Sequence, residues 1–160
     1  MLSKRASLVP LLALIASLAP ACGGSAPPEA KACTTMGCGS QGVDIAFTYR
    51  EAGTYVFEVT VDGEKTTCRV SLPLEPRFSN ACDRVDVTLG LIGSELPAEQ
   101  QSIQNLMIKT TTAEVVHVRA TRDGALLGDK TIRLAYEVTP GPNGPDCEPK
   151  ECKSATATFP

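Results

Sequence analysis

From residue 42 onward, apolar and polar positions alternate with a period of two, the pattern of strands that bury one face. Val43, Ile45 and Phe47 alternate with Asp44, Ala46 and Thr48, and Tyr55, Phe57, Val59 and Val61 alternate with Val56, Glu58 and Thr60. Further runs are Thr66, Cys68, Val70, Leu72, then Val85, Val87, Leu89, Leu91, then Val116, Val118, Ala120, and last Ile132, Leu134, Tyr136, Val138. A less regular stretch from Ile103 to Lys109 predicts one more strand. Only Ser94 to Gln101 suits a short helical turn.

Turn residues join these runs locally. Asp62-Gly63 fits a two-residue hairpin, whose central residues must both tolerate positive φ. That turn sets Phe57 opposite Cys68 and Tyr55 opposite Val70, so core residues meet core residues. Asp123-Gly124 is a second such signal, but Leu127 is odd-numbered while Ile132 and Leu134 are even. One residue must be absorbed, and Gly128-Asp129 is the expected β-bulge. About seven strands linked by hairpins, with no helical crossovers, predict an all-β fold. It is an antiparallel, immunoglobulin-like β-sandwich over residues 33–160.

The segment Gly53 to Gly63 resembles strands of immunoglobulin-like and fibronectin-like bacterial modules. In such modules a Gly-x-Tyr start, here Gly53-Thr54-Tyr55, implies a tyrosine at the sheet corner.

The N-terminus changes the picture from fold to address. Lys4 and Arg5 precede an uncharged stretch from Ala6 to Ala19, too short to span a bilayer and interrupted by Pro10. With the small residues Ala19-Pro20-Ala21, residues 1–21 read as a secretory signal peptide. Leu18-Ala19-Pro20-Ala21-Cys22 resembles a bacterial lipobox, which implies palmitate-like acyl chains on Cys22 before cleavage. Ala19 departs from the usual Leu, Val or Ile, and ordinary cleavage leaving a free Cys22 thiol is the alternative. Residues 22–32 then form the lipidated cysteine and a flexible Gly/Ser/Pro tether.

Parity favours the lipid. The chain has seven cysteines, and acylation of Cys22 leaves Cys33, Cys38, Cys68, Cys82, Cys147 and Cys152 for three bridges. Disulfides suit an oxidising compartment, whereas a zinc site is poorly served by x4 spacings and one histidine. Six cysteines allow 15 pairings. The preferred set closes short loops, Cys33–Cys38, Cys68–Cys82 and Cys147–Cys152. The rival set crosslinks the two terminal pairs.

Charge and motifs narrow the function classes. Without Lys4 and Arg5 the chain keeps 13 basic against 18 acidic residues, a formal charge of −5. That balance offers nucleic acid no basic stripe and anionic lipid no attraction beyond the anchor. His117, the only histidine, alternates with Val116 and Val118 and is expected as a solvated outer-face side chain. Asp146, Glu148 and Glu151 sit in a Pro-rich loop whose spacing matches no calcium-ligand pattern. No catalytic residue, metal ligand or cofactor is assigned.

The chain is also similar to bacterial lipoproteins that carry a Cys-flanked Pro-Asn-Gly-Pro loop, here Pro142 to Cys152, which implies a cell-envelope location. The expectation is a membrane-anchored envelope protein, periplasmic or surface-facing, that acts as a non-enzymatic binding or structural module. Its partner is an envelope protein or another ligand. The alternatives are a carrier of a small apolar ligand and a carboxylate-based hydrolase.

Overall fold

A computed structural model describes residues 33–39, 41–75 and 82–160. The expected signal peptide, Cys22 and the expected tether lie outside the described residues. The strands, in chain order, are β1 (Gly42–Tyr49), β2 (Gly53–Val61), β3 (Glu64–Leu72), β4 (Val87–Ile92), β5 (Ser102–Ile108), β6 (Val115–Arg122), β7 (Ala125–Arg133), β8 (Glu137–Pro140) and β9 (Glu151–Thr158). A single 3-10 turn, Ala98–Gln100, falls inside the stretch expected to allow one.

The alternation builds the expected sandwich. One sheet has the order β4-β5-β1-β9-β8 and the other β3-β2-β6-β7. The architecture is the two-layer one of immunoglobulin-like domains. The strand order differs, because β2 and β3 form a hairpin within one sheet, whereas the second and third strands of an immunoglobulin domain lie in opposite sheets.

Both Asp-Gly turns form as the sequence requires. Asp62 and Gly63 have φ of 47° and 90°, Asp123 and Gly124 of 50° and 82°. Phe57 pairs with Cys68 and Tyr55 with Val70. The β6–β7 ladder slips once: Ala120 faces Gly128 while Thr121 faces Leu126. Leu127 is therefore the extra residue, just before the expected Gly128-Asp129.

Three expectations need correction. The described residues hold nine strands, since the run from Ile132 to Val138 breaks into the end of β7 and a separate β8, and β9 went unread. Val85 lies in a turn before β4 and is 91% exposed. The pairing is not wholly antiparallel, because β9 runs parallel to β1, with Gly42 opposite Ser154 and Ala46 opposite Thr158.

The core is continuous between the sheets. Phe47 stacks on Phe57 with ring centroids 5.2 Å apart and meets Phe159 edge-on at 6.2 Å. Tyr49 stacks on Tyr55 at 5.5 Å. Each fully buried side chain of this size contributes about 1.5–3 kcal/mol. Tyr55 is the corner tyrosine, and its hydroxyl donates to Glu51 O at 2.7 Å.

Parallel alignment of β1 and β9 also fixes the disulfides. Continued upstream, that register would set residues 33–38 beside residues 145–150, so the chain reaches the disulfide partners two positions further on. The bridges are Cys33–Cys147 and Cys38–Cys152, each spanning 114 positions, together with Cys68–Cys82. The two short terminal loops preferred from sequence are thus incorrect, and the crosslinked set forms. Cys68–Cys82 pairs as expected, with Cys68 facing the core.

Candidate functional site

Three places gather polar chemistry: the outer face of each sheet and the disulfide clasp at one end. On the β3-β2-β6-β7 sheet, alternation points Glu58, Thr60, His117 and Arg119 away from the core. The bulge at Leu127 turns Asp129 onto the same face, directly across from Arg119. His117 Nε2 donates to Asp129 Oδ1 at 2.6 Å. Arg119 lies between two carboxylates, 3.5 Å from Glu58 and 3.9 Å from Asp129. With Lys65, these residues line a shallow depression of about 350 Å³.

His117 is therefore half-buried and paired, rather than simply solvated. Sequence placed it on the correct face but did not supply its partner, since that depends on where the bulge falls. The pairs are solvent-exposed, where an ion pair stabilises by about 0–1 kcal/mol. Both carboxylates already face a cation, and the depression presents alternating charges rather than one sign.

The outer face of the five-stranded sheet carries small side chains. Asp44, Thr88, Met107, Ser154 and Thr156 line an open groove of about 310 Å³ beside Gly42. Asn105 Nδ2 donates to Asp44 Oδ1 at 2.6 Å, laying its amide across the sheet. A Cβ on Gly90 would fall within 1.7 Å of Asn105 Oδ1, so glycine there makes room for the amide. Met107, 42% exposed, is the apolar element of the groove.

At the clasp, Asn143 is the hub. Its Nδ2 donates to Met36 O and to Glu148 O, both at 2.8 Å, and its Oδ1 accepts from Thr34 Oγ1. Glu148 Oε2 accepts from the Lys150 backbone N–H at 3.3 Å, which ties that carboxylate into its own loop. Among the described residues no three His, Cys, Asp or Glu side chains converge as a metal site requires.

Elsewhere, several groups have shifted proton affinity, Tyr136 among them, raised by burial and then by Asp62. Burial, then the neighbouring Tyr55, raises the Tyr49 pKa, and burial, then Asp123, raises that of Tyr55. The Asp86 carboxyl is held below its ordinary range, chiefly by its hydrogen bond from Arg84. None of these groups lies in either depression. No family model matches the chain, and no curated protein or solved structure matches it.

Proposed function

We propose that the chain is an exported protein of the bacterial cell envelope, anchored by lipid on Cys22, whose sandwich serves as a non-enzymatic binding or structural module. The observation that carries this reading is the cysteine inventory. Six of the seven cysteines bridge one another, which leaves Cys22 alone at the end of a lipobox-like leader. Three disulfides belong with an oxidising compartment, and acylation gives the seventh cysteine a fate that spares the others thiol exchange.

The module reading draws on where the molecule has room. Aromatic and aliphatic side chains fill the space between the sheets, whereas the two depressions open on the outer faces. A partner would therefore meet an outer face, and the groove beside Met107 offers the more apolar contact. The envelope protein or other ligand that meets it is recognised by surface complementarity rather than turnover.

Fractionation and intact mass test the anchor. Wild-type protein is expected in the membrane fraction with a diacylated N-terminal cysteine, and Cys22→Ser in the soluble fraction. An unmodified Cys22 on the wild type overturns the reading. A photo-crosslinking residue at Met107 is expected to label one discrete envelope component, which an equivalent probe at His117 does not label.

A further inference from the structure

We propose that Asn143-Gly144 is a latent deamidation site gated by the disulfide clasp. Asparagine followed by glycine is the sequence most open to this reaction, because no Cβ shields the attacking backbone nitrogen. Gly144 has φ of 86°, a conformation that glycine adopts without penalty. The Gly144 nitrogen attacks Asn143 Cγ, an N–C bond forms, and the Cγ–NH2 bond breaks. Ammonia departs with the proton from the Gly144 nitrogen. Water then opens the cyclic imide to aspartate or isoaspartate, and no other reactant enters.

In the folded, oxidised protein the amide is engaged in hydrogen bonds that it must give up to follow that path. Three partners fix it, and two of them, Thr34 and Met36, lie between Cys33 and Cys38. The third is Glu148 O, between Cys147 and Cys152. The Gly144 N–H is itself occupied, donating to Gly141 O at 3.3 Å. Every restraint on the reaction thus comes from the clasp or the loop that it closes. Residues 33–38 contain no strand of their own, so the two bridges are what keep Thr34 and Met36 in place.

Opening the bridges needs a dithiol reductant, which is oxidised to its own disulfide as each cystine becomes two thiols. Residues 33–38 then leave, and Asn143 loses two of its three partners. Conversion to aspartate makes the opening hard to reverse. The two amide donors disappear, and a carboxylate appears facing the Met36 and Glu148 carbonyl oxygens, in a loop that already carries Asp146 and Glu148. A transient reduction is thereby recorded as a permanent weakening of the clasp.

Peptide mapping of purified protein at mildly alkaline pH tests this in three arms: oxidised and native, treated with dithiothreitol, and oxidised in denaturant. Aspartate and isoaspartate at residue 143 are expected to form slowest in the native oxidised arm. The reduced arm should be faster by on the order of tenfold or more, as the loss of two hydrogen bonds implies. Thr34→Val removes one partner while keeping all three bridges and the fold, and is expected to convert faster than wild type. Equal rates in oxidised and reduced protein, with Thr34→Val unchanged, overturn the gate. Absence of product from the denatured arm overturns the site.

Discussion

Asp62 and Asp123 hold equivalent places in two hairpins that meet back to back across the β2–β6 pair. Each lies at positive φ before a glycine, and each pins the first residues of the opposite hairpin. Asp62 N–H donates to Val115 O, and its Oδ1 accepts from Glu114 N at 3.2 Å. Asp123 N–H donates to Thr54 O, and its Oδ1 accepts from Thr54 N at 2.8 Å. The four-stranded sheet is thus locked at both ends by one device used twice.

Replacement of either aspartate by alanine is expected to cost about 1–2 kcal/mol, from the lost hydrogen bond and from alanine at positive φ. Asparagine keeps the acceptor and tolerates the conformation, so Asp62→Asn and Asp123→Asn should change stability far less. Gly124→Val isolates the backbone term. A Cβ there meets nothing within 4 Å, so its expected cost of about 1–2 kcal/mol is conformational alone. Urea unfolding of the five variants checks this, and an unchanged midpoint for Gly124→Val would sink the turn assignment.

The same hairpins explain what the sequence could disclose. Asp-Gly turns and alternating large apolar residues are local signals, so the β2–β3 register could be stated residue by residue. β9 lacks such signals: its buried positions are Ala155 and the partly buried Ala157, among Lys153, Ser154, Thr156 and Thr158. It is a strand because β1 lies beside it, a contact more than 100 positions away. The clasp pairing follows from that parallel contact and so was hidden with it. His117–Asp129 was hidden for a smaller reason, since it depends on which of Leu127, Gly128 or Asp129 is the bulged residue.

Gly128 is the point where the last residues of the chain enter the core. A Cβ built on it falls 2.8 Å from Cζ of Phe159, which is itself buried. Gly128→Ala is therefore expected to destabilise by about 1–3 kcal/mol through overpacking. Phe159→Leu should offset part of that loss in the double variant, although Phe159→Leu alone destabilises. Additive costs in a double-mutant cycle would mean that the two residues do not meet.

The Arg84–Asp86 pair predicts a pH dependence with a definite sign. Arg84 Nη2 donates to Asp86 Oδ2 at 2.5 Å, and Arg84 also reaches Glu64 at 2.8 Å. The folded-state pKa of Asp86 lies below its ordinary value of 3.8. Its contribution is therefore present above that value and lost as pH falls through the depressed one. Asp86→Asn is expected to lower the melting temperature slightly at pH 7 and to converge on wild type as pH falls toward 2. A difference that persists unchanged at pH 2 would assign the effect to packing rather than charge.

The clasp as a pair outweighs the core disulfide, whereas two short terminal loops would have left that disulfide the most important. Cys68–Cys82 closes a loop of 14 positions, for which the chain-entropy estimate is roughly 3 kcal/mol. Cys33–Cys147 and Cys38–Cys152 each close 114 positions, where the same estimate is about 5 kcal/mol for the first bridge formed. The second then closes only the small ring between the two segments, adding about 2–3 kcal/mol. Loss of one clasp bridge should therefore lower the melting temperature about as much as loss of Cys68–Cys82. Loss of both removes about 7 kcal/mol from the chain-entropy term and should lower the melting temperature by clearly more than loss of either bridge alone. Serine pairs at the three bridges, singly and with both clasp bridges removed, test the ranking by thermal melts. Effects of the two clasp bridges that merely match the core staple when combined would show that the N-terminal segment contributes little to the fold.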